Sequence, residues 1–117
     1  MSLNRVVPNL KSSDLGEAAK FYTDVLGLAV VMDHGWIVTV ADPDRPELQL
    51  SLMTRDETAP EVFPVVSLEV PDVDAAYAAA RASGAEILHE LTDEEWGVRR
   101  FFVRDPNGHV LNILSHR

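Results

Sequence analysis

The sequence predicts an α+β fold in which two βαβββ repeats form a curved mixed sheet around a shared cleft. Three observations carry that expectation. Asp42-Pro43 and Asp105-Pro106 each stand seven residues ahead of an amide side chain, Gln49 and Asn112. Val7 and Val65 each stand seven residues ahead of an aspartate, Asp14 and Asp72, that opens a helical pattern. Between these markers the order of patterns is the same in both halves: a strand, a helix, then three strands. Such self-similarity marks a duplicated supersecondary unit. A lone βαβββ unit covers one sheet face with its helix and leaves the other wet and partly apolar. Two units joined around a cleft bury most of that surface.

The elements follow in order. Arg5 to Lys11 reads as a strand, with Pro8 marking an edge or an irregularity. Asp14 is an N-cap, and Glu17 three residues later completes a capping-box pattern. Leu15, Ala18, Ala19, Tyr22, Val25 and Leu26 recur at helical spacing as one apolar stripe. Gly27 stops the helix by taking a left-handed conformation. Strands are expected over Leu28 to Met32, Trp36 to Ala41 and Leu48 to Met53, with turns at His34-Gly35 and across the breakers Asp42 to Pro46. The polar stretch Thr54 to Pro60 reads as the linker. The pattern then restarts, with a strand over Phe63 to Val70, its start open to delay by Pro64, and Asp72 capping a helix with apolar positions Val73, Ala76, Tyr77 and Ala80. Gly84 ends this helix, and strands follow over Glu86 to Leu91, Val98 to Arg104 and His109 to Ser115. Thr92 to Glu95 is an acidic loop, and Asp105-Pro106-Asn107-Gly108 is a hairpin turn. The chain is thus one domain, 1–117, built of repeats over about 4–53 and 62–116.

Composition narrows the function. The 117 residues can bury a sizeable core. Zero cysteines exclude disulfides, thiolate metal sites and cysteine nucleophiles. A net charge of -9 argues against nucleic acid, which is bound by neutralising phosphates with Lys and Arg. It suits a cationic ligand, although acidic surfaces also simply keep proteins soluble. No apolar run is long enough to cross a bilayer, and the opening MSLNRVV lacks the regions of a signal peptide. A cytoplasmic location is therefore expected.

Three stretches carry a family resemblance. DLGEAAKFYTDVLGL, from Asp14 to Leu28, is similar to the first helix of the glyoxalase / bleomycin resistance protein / dioxygenase (vicinal oxygen chelate) superfamily. VPDVDAAYAAARASGAEI, from Val70 to Ile87, is similar to its second helix. WGVRRFFVRDPNGHVLNIL, from Trp96 to Leu114, is similar to its closing hairpin, and most resembles the non-metal, bleomycin-resistance-like branch. The resemblance implies a homodimer. It leaves function open, because members include metal-dependent lyases, isomerases, epimerases and ring-cleaving dioxygenases beside proteins that sequester antibiotics.

In metal-dependent members the ligands, usually His, Gln or Glu, come from the first and last strands of each half. Carried over by motif, those positions are Val7, Gln49, Val65 and Asn112. Valine offers no lone pair, and neutral amides are poor ligands for a divalent transition ion. A catalytic site of this sort needs about three good protein ligands. A register displaced by two would bring in Asn9, Ser67, Glu47 or Ser51, and Arg5 or Leu114, of which Glu47 alone is a strong ligand. The histidines have no metal-spacing motif. His34 lies in a turn, His89 on a strand beside the acidic loop, His109 after a turn and His116 at the C-terminus. No cofactor is expected, and a divalent metal is disfavoured.

Strand alternation groups Arg5, Val7, Asn9 and Lys11 on one face, as it does Phe63, Val65, Ser67 and Glu69. The same holds for Glu47, Gln49 and Ser51, and for Val110, Asn112 and Leu114. Trp36 and Trp96 are candidates for stacking on a flat ligand, or are packing residues. Phe101 and Phe102 are adjacent, so one faces the cleft and the other its opposite side. Alternation alone does not say which, and Arg99 and Arg100 share the ambiguity. The expected cleft set is Val7, Asn9, Trp36, Glu47, Gln49, Val65, Ser67, Trp96, Phe101 and Asn112. An apolar lining with sparse amides and hydroxyls suits a small organic molecule. The expected function is metal-independent binding of such a molecule, extending to antibiotic sequestration. The alternative is a metal-dependent glyoxalase-like lyase or ring-cleaving dioxygenase with a displaced metal site, in which Glu47 and a histidine converge.

Overall fold

The computed structural model describes residues 2–56, 59 and 61–117. Its elements are β1 (Arg5–Lys11), α1 (Leu15–Leu26), β2 (Ala29–Asp33), β3 (Ile37–Ala41), β4 (Gln49–Met53), β5 (Val66–Glu69), α2 (Val73–Ala82), β6 (Ile87–Asp93), β7 (Val98–Arg104) and β8 (Val110–His116). The order is βαβββ twice, the α+β arrangement expected. Of the linker residues, Glu57, Thr58 and Pro60 lie outside the described residues. Asp56 is buried rather than solvated, and its carboxylate accepts from the Ala59 amide at 3.1 Å. No helix among the described residues is long and apolar enough to cross a membrane.

The chain forms two compact units, Val7–Phe63 and Met1–Val6 with Pro64–Arg117. In the first, the strand order is β2-β3-β4-β1. β1 runs parallel to β4, and the two hairpin pairs are antiparallel. Helix α1 starts where the Asp14 carboxylate accepts from the Glu17 amide at 3.0 Å, relieving one of the unpaired amides of the first turn. It ends at Gly27, whose φ of 68° needs no Cβ. Leu15, Ala18, Ala19 and Tyr22 pack on Val38, Val40, Leu50 and Leu52. The apolar stripe is shorter than expected, because Val25 and Leu26, each 60% exposed, turn outward in the last helical turn.

In the second unit the order is β5-β8-β7-β6, with β5 parallel to β8. Asp72 caps α2 by accepting from the Ala75 amide at 3.0 Å. Val73 and Ala76 of α2 join Val70, Phe101 and Val103 in the core, and the Tyr77 ring meets Phe101 edge-on at 5.0 Å. β5 starts at Val66, after Pro64, later than the periodicity predicts. β6 runs on to Asp93, so the first half of the expected acidic loop is strand. The turn into β8 is organised by Asp105, whose carboxylate accepts from the amides of Asn107 and His109, both at 2.9 Å. The start of β1 belongs to this unit. The Asn4 amide donates to the Glu69 carbonyl at 2.7 Å, and Arg5 pairs with the Glu69 carboxylate at 3.1 Å.

Candidate functional site

In the first unit, Val38, Val40, Leu50 and Leu52 point at α1, so their alternate neighbours face the other way. The pairings Asn9↔Ser51 and Thr39↔Ser51 make one polar row across β1, β4 and β3. All three side chains are buried, and the Thr39 and Ser51 hydroxyls are 2.8 Å apart. The next row is Lys11, Met53 and Ile37, with Lys11 lying over the Phe63 ring at 5.8 Å. Extending the register backward sets Val7 opposite Gln49, whose amide nitrogen donates to the Pro46 carbonyl at 2.8 Å. Trp36 is half-buried ahead of β3, and its carbonyl accepts from the Thr54 amide at 3.1 Å. Glu47 lies in the exposed turn before β4 and pairs with Arg45 at 3.6 Å.

In the second unit, Phe101, Val103, Leu111 and Ile113 pack beneath α2. Phe101 is therefore a core residue on the helix side, and the cleft set must be corrected: Phe102, one residue on, occupies the face away from α2. That face carries a cross-strand row of Ser67, Asn112, Phe102 and His89. The Asn112 amide nitrogen donates to the Ser67 hydroxyl at 3.0 Å. Its carbonyl oxygen is buried and has no hydrogen-bond partner among the described residues. An unsatisfied buried acceptor is costly. Val65 is exposed ahead of β5, and its amide donates to the Val110 carbonyl at 2.9 Å.

Beside this row lies a buried ionic cluster. Arg100 is only 3% exposed, and its Nε donates to Glu94 Oε2 at 2.5 Å. The same carboxylate oxygen is 3.2 Å from His89 Nε2. The Arg100 guanidinium is 5.0 Å from the Trp96 ring centre and 4.6 Å from that of Phe102. Two charges removed from water require tight pairing, and here the aromatic faces add cation–π attraction. Arg99 points the opposite way, to Asp74 of α2 at 2.9 Å and Asp93 at 3.0 Å. Hydrogen bonding to Arg99 holds the Asp74 carboxyl below its ordinary value, and hydrogen bonding to His109 does the same for Asp105. Glu94 is one of four acids, with Glu90, Asp93 and Glu95, close enough in sequence to pair with Arg99 or Arg100, but its burial and its contact with His89 come from strand pairing that spacing does not show. The one usable signal was the adjacency of Glu94, Trp96 and Arg100 around the β6–β7 turn.

The four expected metal positions do not fit a divalent transition ion. Val7 and Val65 carry no donor. Gln49 is engaged through its nitrogen with Pro46, and Asn112 offers one neutral carbonyl. Among the described residues no group of three or more His, Cys, Asp or Glu side chains is arranged to hold a metal.

Paired βαβββ units, each with one face under a helix and a polar opposite face, define the scaffold class. The chain belongs to the Glyoxalase/Bleomycin resistance protein/Dioxygenase superfamily, whose profile matches residues 2–113. A probable lactoylglutathione lyase of Vibrio parahaemolyticus serotype O3:K6 (strain RIMD 2210633) is 23% identical over 130 residues, spanning 100% of this chain and 94% of that protein. A glyoxalase/bleomycin resistance protein/dioxygenase superfamily member from Vibrio splendidus 12B01 is similar at 21% identity and a TM-score of 0.71, covering 97% of this chain and 99% of that one. Streptomyces coelicolor methylmalonyl-CoA epimerase in complex with 2-nitronate-propionyl-CoA is similar at 22% identity and a TM-score of 0.73, covering 98% and 96%. At these identities the likeness to solved structures is one of fold.

Proposed function

We propose that the protein binds a small organic molecule without using a metal, and that it serves as a drug-sequestering member of its superfamily. The carrying observation is the donor set: two valines and two neutral amides stand where a metal would need charged or imidazole ligands. The methylmalonyl-CoA epimerase complex, with its 2-nitronate-propionyl-CoA, supports the use of this fold to hold an organic ligand. Each unit carries its own apolar surface and sparse polar groups suited to such a ligand: Val7, Asn9, Trp36 and Gln49 in the first, and Ser67, Trp96, Phe102 and Asn112 in the second. The net charge of -9 favours a cationic ligand through long-range attraction. A homodimer, as the resemblance implies, completes the reading.

The test is elemental analysis together with thermal shift of the purified protein. Planar organic molecules, cationic and neutral, should raise the midpoint equally with and without a chelator, since a ligand of the folded state stabilises in proportion to occupancy. Stoichiometric, tightly held Zn, Ni, Fe or Mn, or a shift produced by divalent metals alone, would overturn the proposal.

A further inference from the structure

The face of the second unit away from α2 holds chemistry that ligand binding does not require. An ionised carboxylate can only accept, so neutral His89 beside Glu94 carries its proton on Nε2 and keeps the lone pair on Nδ1. Nδ1 makes no hydrogen bond among the described residues, and it is not among the buried atoms left without a partner. Glu94 cannot easily swing away, because Arg100 holds the same oxygen and is itself stacked against Trp96 and Phe102. The imidazole packs on Phe102 with ring centres 5.1 Å apart. The charged groups facing it are Glu94 and, through that carboxylate, Arg100. β7 and β8 present Phe102 and Asn112 in its row, and Glu90 next to it in the chain is exposed.

We propose that His89 is a proton-transfer base, with Glu94 and Arg100 as positioning residues, for a planar conjugated carbon acid lying against the 39%-exposed Trp96. Nδ1 takes a proton from a substrate C–H, and the C–H electron pair passes into the conjugated system. Glu94 stabilises the imidazolium that forms. The proton then returns to the substrate at the same or another atom, or leaves to water, and the neutral tautomer is restored. No oxidant, reductant or metal enters the balance. This goes beyond the proposed binding function, which needs only that a ligand is held.

The experiment uses the full chain and the neutral aromatic probe 5-nitrobenzisoxazole. Removal of its C3 proton breaks the N–O bond, leaves the electron pair on a phenolate oxygen and gives a coloured product. The protein should exceed an equal concentration of free imidazole by about 100-fold, the lower range for a positioned general base. His89→Gln should lower the rate at least about tenfold, while His34→Gln and His116→Gln leave it unchanged. Glu94→Gln should lower kcat at least about tenfold and leave KM for the probe nearly unchanged, because the imidazolium that forms loses its carboxylate while the aromatic surface that holds the probe is intact. A merely structural Glu94 would not split kcat from KM in this way. A His89→Gln protein of unchanged circular dichroism that keeps the rate would overturn the proposal, as would an unchanged kcat in folded Glu94→Gln. If Glu94→Gln does not fold, His89→Gln alone decides. Thermal-shift binding of organic molecules without probe turnover would sink the base and leave the binding function standing.

Discussion

Two adjacent pairs, Arg99-Arg100 and Phe101-Phe102, show how much one residue of register decides. Arg100 and Phe102 face away from α2, while Arg99 meets Asp74 and Phe101 fills the core. The adjacency was legible in the sequence and the assignment was not, because alternation fixes a period but not a phase. The phase comes from which aromatic α2 covers. Phe101→Ala should therefore destabilise by about 3–5 kcal/mol, as expected for deleting a buried ring, measured by urea unfolding. Glu94→Ala should cost a similar amount, about 3–5 kcal/mol, because it leaves the Arg100 cation buried without its carboxylate. Replacing both together, with Glu94→Leu and Arg100→Met, should recover most of that loss, since an apolar pair of similar volume needs no desolvation of charge.

At the scale of elements, the helices were the most legible parts. Asp14 and Asp72 cap them as their spacing predicts, and the N-cap hydrogen bonds are 3.0 Å in each. Either Asp→Ala change should lower stability by about 1 kcal/mol, read as a shift in denaturant midpoint at constant slope. The strand starts were less legible, since Pro64 delays β5 and β6 continues through residues that look like a loop. The turns also set an acid dependence. Asp105 and Asp74 both have folded values below the ordinary 3.8, through His109 and Arg99 respectively. Their stabilisation is fully present above that value and is lost as pH falls through the lowered folded ones. Asp105→Asn should thus flatten the acid limb of a melting-temperature profile below about pH 4 and leave its slope near neutrality unchanged.

For the molecule as a whole, the repeat was readable because turn and cap chemistry obey local rules. The ionic cluster was not, because Glu94, His89 and Arg100 meet through strand pairing and through their shared exclusion from water. Sequence spacing puts the linker between halves at Thr54 to Pro60, and the compact bodies divide close by, between Phe63 and Pro64, and once more after Val6. Met1–Val6 belongs with Pro64–Arg117, tied by Asn4 and Arg5 to Glu69. Residues 1–63 and 64–117 expressed as two separate polypeptides should then co-purify, and starting the first at residue 7 should weaken the association.

That division bears on how such a chain can be cut, joined and rearranged. The segment that is copied in the sequence is offset from the body that coheres in space, so the body built on the second copy borrows residues from the first. The N-terminal few residues act as a tether supplied by one copy to the other. A permuted chain that begins at Pro64 and appends residues 1–63 after Arg117 would keep every backbone pairing but move this tether to a fusion joint. The joint would have to reach from the end of β8 to Asn4, beside Glu69 of the neighbouring β5, where His116 already pairs with the Glu69 carboxylate at 3.0 Å. Asn4, Arg5 and His116 thus converge on one residue of β5, Glu69, which fixes the path any such joint must take.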